Sequence, residues 1–183
     1  MAKHGVLIES MIQAKNIDAL NRSVISTVDV DGAGLITLTA PTTQGEDRWT
    51  AEAPTTGKLG GLWMAYNPSV KYTEVNGKVY AGLSQDPRDY TNLKGKTFDA
   101  FKPQVGDEVV ITIDAVDDSG SNAVAGDILE SKADQTLLAR VAGGTATSGH
   151  TAFKIEWKGT IDFPKAGIGV DKVVAFKAVC VQE

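Results

Sequence analysis

The chain has 183 residues, 42% of them apolar, with 18 basic and 23 acidic side chains and a net charge of -5 at neutral pH. This length suits one domain or two small ones and buries a core without covalent staples, and the single cysteine, Cys180, rules out an intramolecular disulfide. The basic residues are dispersed rather than gathered with aromatics into a phosphate-tracking stripe, which argues against nucleic acid, and no apolar run nears the roughly 20 residues of a membrane-crossing helix.

Residues 1–22 read as an N-terminal arm. Met1-Ala2-Lys3-His4-Gly5-Val6 lacks the apolar stretch of a signal peptide, so a protein not secreted by a cleaved leader is expected. Leu7, Ile8, Met11 and Ile12 have helical spacing, but the break at Lys15-Asn16 limits them to a short helix, and an extended arm is the equal alternative. In either form the apolar side needs a cover from this subunit or a neighbour. Val6, Leu7, Ile8, Met11 and Ile12 are therefore candidate anchors to a partner.

Residues 23–96 read as a first β subdomain. Val24, Ile25, Val28 and Val30, then Asp31-Gly32, then Leu35, Ile36 and Leu38 predict two strands joined by a tight turn. Pro41–Lys58 is rich in Thr, Gly, Glu and Pro and predicts a long loop, with Trp49 in its middle as an interface candidate. A strand group follows through Leu62, Trp63, Met64 and Tyr66. After it, Lys71–Gly82 alternates on either side of Asn76-Gly77, the strongest short-range hairpin signal in the chain. Gln85–Lys96 is polar, contains Pro87 and Gly95, and predicts a linker carrying a second interface candidate, Tyr90.

Residues 97–183 read as a second β barrel or sandwich. Val109–Val116, Ile128–Glu130, Leu137–Val141, Phe153–Ile161 and Asp171–Val181 predict strands, with Asp117–Asn122 as a turn. Cys180 falls in the last strand and is expected to be a small core residue. Val105-Gly106-Asp107-Glu108-Val109 is echoed by Ala125-Gly126-Asp127-Ile128-Leu129, as though each strand were entered through the same Gly-Asp turn. The fold expected is mainly β: a hairpin-rich sandwich or barrel, in two small subdomains, with an N-terminal arm or short helix.

Chemistry-bearing residues are sparse. His4 and His150 are the only histidines, and neither has neighbours at catalytic or metal-ligand spacing. Thr27–Gly32 has the alternating oxygens of a calcium loop's start, but Leu38 occupies the position where an EF-hand needs its bidentate Glu. Asp117, Asp118 and Asp127 could act as an acid–base pair only by converging in a cleft. Gly57–Gly61 and Gly143–Thr145 lack the spacing of a phosphate-binding loop. No catalytic residue, cofactor or metal is expected.

The second half, in Val105–Ile111, Ala123–Glu130 and Thr151–Ile155, resembles the small β modules of tailed-bacteriophage virion proteins, in particular head decoration, cement or head-fibre proteins. The resemblance implies a non-enzymatic virion protein, assembled in the host cytoplasm, that sits on the capsid surface and stabilises or decorates the head. Its implied partners are the major capsid protein or other virion subunits, with a homo-oligomer possible and no direct contact with nucleic acid or membrane. A tail, neck or fibre component and a carbohydrate-binding β module served by exposed aromatics are the alternatives.

Overall fold

Strand β1 (Asn21–Ser26), β2 (Leu35–Pro41), β3 (Arg48–Glu52), β4 (Trp63–Ala65) and β7 (Thr97–Phe101) close on one another in the order β1-β3-β2-β4-β7. The result is a five-stranded barrel in which only the β1–β3 pair is parallel. The computed structural model describes residues 3–14, 20–42, 47–75, 78–82, 84–164 and 169–183. Strands β5 (Tyr72–Val75) and β6 (Lys78–Ala81) form the expected separate hairpin, with Val75 opposite Lys78; Asn76-Gly77 lies outside the described residues, as does the Lys15-Asn16 break. An open sheet holds β8 (Glu108–Thr112), β9 (Ile128–Glu130), β10 (Ala139–Val141), β11 (Ala152–Pro164) and β12 (Val170–Gln182) in the order β10-β9-β11-β12-β8. The protein is mainly β, as its alternation patterns require.

Consecutive residues of the barrel strands point to opposite sides, and where β2, β4 and β7 meet the open sheet both sides are buried. Ile36, Ala65, Phe98 and Ala100 pack with Val24, Val30 and Ala51 in one core, inside the barrel. Their neighbours Leu35, Met64 and Phe101 pack in a second core against Val109, Ile111, Leu129, Phe153, Ile155, Phe176 and Cys180 of the open sheet. Barrel and sheet thus share one continuous apolar layer. A boundary at 96/97 does not fit this arrangement: β7, just past it, closes the barrel against β1, while Arg88, Tyr90, Thr91 and Asn92 of the expected linker are buried.

Two strand predictions need correction. Trp49 is not in a loop but in β3, which enters between β1 and β2, so those two strands do not pair with each other. The turn between them is present, with Gly34 N–H donating to Asp31 O at 2.9 Å. The antiparallel partner that follows β2 is β3, with Thr42 N–H donating to Arg48 O at 2.9 Å, and β3 in turn lies parallel to β1.

The arm is extended, with one 3-10 turn at Glu9–Met11. It runs along the outer edge of β8, where Leu7 bridges Ile111 and Gln13 bridges Glu108. Ile8 N–H donates to Val110 O at 2.8 Å and Thr112 N–H to Val6 O at 3.0 Å. The alternation of an extended chain sends Leu7 into the main core and Val6 and Ile8 to the other face, where they meet Ile161, Phe163 and Val173.

The Gly-Asp echo is a local two-fold in the sheet. Gly106 and Gly126 both have φ of +96°, a conformation open to glycine and strained for other residues. Each following carboxylate accepts the N–H three residues back, Gln104 to Asp107 at 2.9 Å and Val124 to Asp127 at 3.1 Å. Gly106 N–H donates to Cys180 O and Gly126 N–H to Ile155 O, both at 2.8 Å. Register follows the same symmetry: Ala178 lies between Val109 and Ile155, and Phe153 between Leu129 and Cys180. The arm beside β8 occupies the place that β10 occupies beside β9. Cys180 is buried as expected, and burial pushes its thiol up to about 12.

Because Leu7 is fully buried while Met11 is 50% exposed, the two arm residues separate in a stability measurement. Leu7→Ala is expected to lower the unfolding free energy by about 2–5 kcal/mol through lost burial and a cavity, and Met11→Ala to change it by less than about 0.5 kcal/mol. Urea unfolding followed by tryptophan fluorescence checks both.

Candidate functional site

The outer face of the open sheet presents the described residue best suited to hold a partner, and a bulge creates it. Phe153, Ile155, Trp157, Gly159 and Ile161 alternate in sequence, so an unbroken strand would aim all five into the core. The β11–β12 register slips between Ile155 and Trp157. A bulge inserts one residue and exchanges the faces beyond it. Phe153 and Ile155 are buried in the core, whereas Trp157 is 46% exposed on the opposite side. In exchange Lys158 turns toward the core side, its ammonium donating to Ala123 O at 2.7 Å and lying 5.8 Å from the Phe176 ring.

Trp157 is held against the sheet. Its indole lies over Gly159, where a Cβ would overlap the ring. Across the strand pair stands Lys177, whose ammonium is 2.7 Å from Glu108 and 3.5 Å from Glu156. These carboxylates raise the lysine's pKa, led by the bond from Glu108. The arrangement is an apolar plate with an ion-paired border, which is the composition of an interface centre and rim.

On the far part of the same face, a charged clamp fastens the arm. Arg88, buried in a 3-10 turn (Pro87–Asp89), donates through Nε and Nη2 to Asp86 at 3.0 and 2.8 Å and through Nη2 to Asp171 of β12 at 2.8 Å. Its guanidinium sits 5.6 Å from the Phe163 ring, over the satellite apolar cluster. Lys3 reaches Asp86 and Asp89 at 2.8 and 2.7 Å, and His4 Nδ1 pairs with Asp31 at 2.8 Å. Burial pushes the Asp86 carboxyl up, but the bonds from Arg88 and Lys3 outweigh it and hold the group at about 2. The bond to Asp31 raises the pKa of His4 against the opposing effect of burial.

The clamp decides the fate of most of the expected anchors. Val6, Leu7 and Tyr90 are buried inside the subunit, and Ile8 and Ile12 pack against its apolar clusters, so none of these five is available as an exposed anchor. The physical reason is the free edge of β8, which the arm satisfies within its own chain. Tyr90 is sealed by the hydrogen bond of its hydroxyl to Ser84 O at 2.9 Å and by Lys71 over its ring. Met11 remains exposed, and Trp49 is half-buried against the barrel core. Trp157 is not among the candidates the sequence offers, because regular alternation puts it on the same side as Phe153 and Ile155, and a bulge has no sequence signal here beyond the glycine two residues on.

Two of the acidic candidates are each engaged by turn and side-chain donors. Asp117 caps a 3-10 turn and takes bonds from Ser119, Lys132 and Gln135, while Asp127 takes Arg140 at 2.6 Å with the N–H groups of Val124 and Gly143. Burial alone would raise both carboxyls; these bonds lower them instead. Asp29 and Asp31, from the calcium-like stretch, accept the N–H of Lys94 and of Gly5. His150 is tied to Ser131 O at 2.9 Å and has no residue in common with the His4 pair. Among the described residues no three His, Cys, Asp or Glu side chains gather as a metal site.

The geometry defines a mainly β protein with a barrel and an open sheet sharing a core, and with one plated tryptophan on its outer face. No protein-family model, curated protein or solved structure matches the chain.

The clamp titrates in opposite directions at its two ends. Asp86 has a folded pKa below its ordinary value of 3.8, so its contribution is present above that value and lost as pH falls toward 2. Asp86→Asn is expected to destabilise at pH 7 by up to about 3–5 kcal/mol, since Arg88 then keeps a single carboxylate, and the gap from the parent should narrow below pH 4. His4 has a raised pKa, so its contribution is complete below pH 6.5 and lost as pH rises through the folded pKa. The parent should therefore lose its advantage over His4→Gln as pH rises above 6.5 through the raised pKa. Denaturant titrations of the three proteins across this range check both.

Proposed function

We propose that the chain is a non-enzymatic structural protein of a tailed-phage virion, seated on the capsid surface, where it stabilises or decorates the head. The observation that carries this reading is Trp157, an exposed indole plated on a rigid sheet and bordered by the Lys177–Glu108–Glu156 ion pairs. Tryptophan is the residue most enriched among interface hot spots, and a sheet supplies a surface that loses little freedom on docking. The partner on this reading is the major capsid protein or a neighbouring virion subunit.

The rest of the molecule supports a scaffold role. Its arm, long hairpin and barrel are locked together by a shared core and by the Arg88 clamp. The carboxylates weighed as catalysts, Asp117 and Asp127, are held in their charged forms by turn bonds, whereas a general acid needs a raised pKa. Many copies on a capsid lattice would add avidity to a modest single contact.

The reading is tested by co-sedimentation of the purified chain with assembled capsids of the phage that encodes it. Saturable binding at a fixed copy number is expected, weakened by at least about 2 kcal/mol in Trp157→Ala and unchanged in Trp49→Ala. Sedimentation with tails alone, or with neither particle, overturns the capsid assignment.

A further inference from the structure

An open crevice of about 560 Å³ lies where the arm, the barrel and the segment after β4 meet, lined by Glu9, Asn21, Tyr66, Asn67, Ser69, Lys71 and Asp99 with Pro68 and Pro87. This volume is in the range of small-molecule sites. Its polar groups are of mixed sign and are positioned by the fold. Glu9 Oε1 accepts from the backbone N–H and Nδ2 of Asn67 at 3.1 and 3.0 Å, and Asp99 Oδ1 accepts the Ser23 hydroxyl at 2.8 Å. Among the described residues the second oxygen of each carboxylate accepts no hydrogen bond.

Tyr66 supplies the ring. It is fixed from behind by Phe101, with centroids 5.1 Å apart, and its hydroxyl faces Asn21 Oδ1 at 3.4 Å. Past Pro68 and Ser69, a second cleft of about 200 Å³ continues between Val70, Thr91, Asn92, Leu93 and Phe98. Two buried atoms of its lining residues, Thr91 Oγ1 and Asn92 Oδ1, have no partner among the described residues. Asn92 Nδ2 donates to Tyr66 O at 2.9 Å, which leaves Oδ1 as an acceptor in need of a donor. Buried polar atoms are seldom left so, and here two of them stand in the wall of this cleft.

We propose that this crevice binds a neutral glycan unit, a pyranose whose hydroxyls donate to Glu9 and Asp99 and whose ring rests on Tyr66 and the flanking prolines. Hydroxyls both donate and accept, which suits a lining of carboxylates, amides, a serine and a lysine better than a purely cationic or anionic ligand does. The C–H face of a pyranose suits an aromatic and proline floor. The inference goes beyond the capsid reading and does not depend on it, since the test needs only the purified chain.

The test is an amide and side-chain NMR titration of the full chain with the methyl glycosides of glucose, galactose, mannose and N-acetylglucosamine, and separately with methylammonium. The expected result is saturable shifts at residues 66–71, Glu9 and Asp99 from at least one glycoside, with a dissociation constant on the order of 1 mM or tighter. Asp99→Ala, at an exposed position, should weaken that affinity at least about tenfold while the unfolding midpoint stays in place, and Trp49→Ala and Trp157→Ala should leave it unchanged. Saturation by methylammonium alone, shifts centred on Trp49 or Trp157, or no saturation by any glycoside overturns the proposal.

Discussion

Strands β2, β4 and β7 are buried on both sides where they meet the open sheet, at Leu35–Ile36, Met64–Ala65 and Ala100–Phe101, and the rest of the architecture depends on that constraint. Leu35, Met64 and Phe101 serve the core shared with the open sheet, while Ile36, Ala65 and Phe98 fill the barrel. A strand buried on both sides cannot be detached with either layer without exposing the other. At about 25 cal/mol per Å² of apolar surface, opening this layer would cost far more than a linker could absorb. The barrel and the sheet accordingly behave as one folding unit, in which 102–107 is a short passage between layers.

The free edge of β8 imposes the second constraint. An unpaired edge invites another strand, and the chain meets the invitation with its own arm. The local two-fold makes the logic visible, because β10 performs the same service for β9. The arm has no hairpin to hold it in place, so charge does that work: Lys3, His4 and Arg88 converge on Asp86, Asp89, Asp31 and Asp171. Arg88 suits its position because a planar fork can serve two carboxylates while lying over an aromatic ring.

Function on the proposed reading comes from a departure from regularity. The bulge in β11 removes one aromatic from a core that already holds Phe153 and Phe176 and sets it on the surface. Gly159 makes the place for it. The result is an exposed tryptophan with restricted motion, which loses less entropy on binding than an indole on a loop would. The Tyr66 crevice has the opposite origin, since it forms where three independently placed segments leave a gap.

The sequence alone determined the strand content, most strand positions, the burial of Cys180 and the glycine turns before β8 and β9, because these follow from period-two alternation and from conformations that glycine tolerates. It also pointed to two short strands on either side of Asn76-Gly77, and β5 and β6 pair as expected. Pairing partners lay beyond it: β3 entering between β1 and β2, β7 closing the barrel, and the arm occupying the edge of β8 are long-range choices made by whichever edge and apolar face remain uncovered. The same holds for the candidate sites. Val6, Leu7 and Tyr90 looked available because sequence cannot say what covers an apolar side chain, and Trp157 was not singled out because alternation cannot foresee a register slip. Only the tertiary structure decided which aromatic faces solvent, since that depends on where two strands 20 residues apart fall out of step.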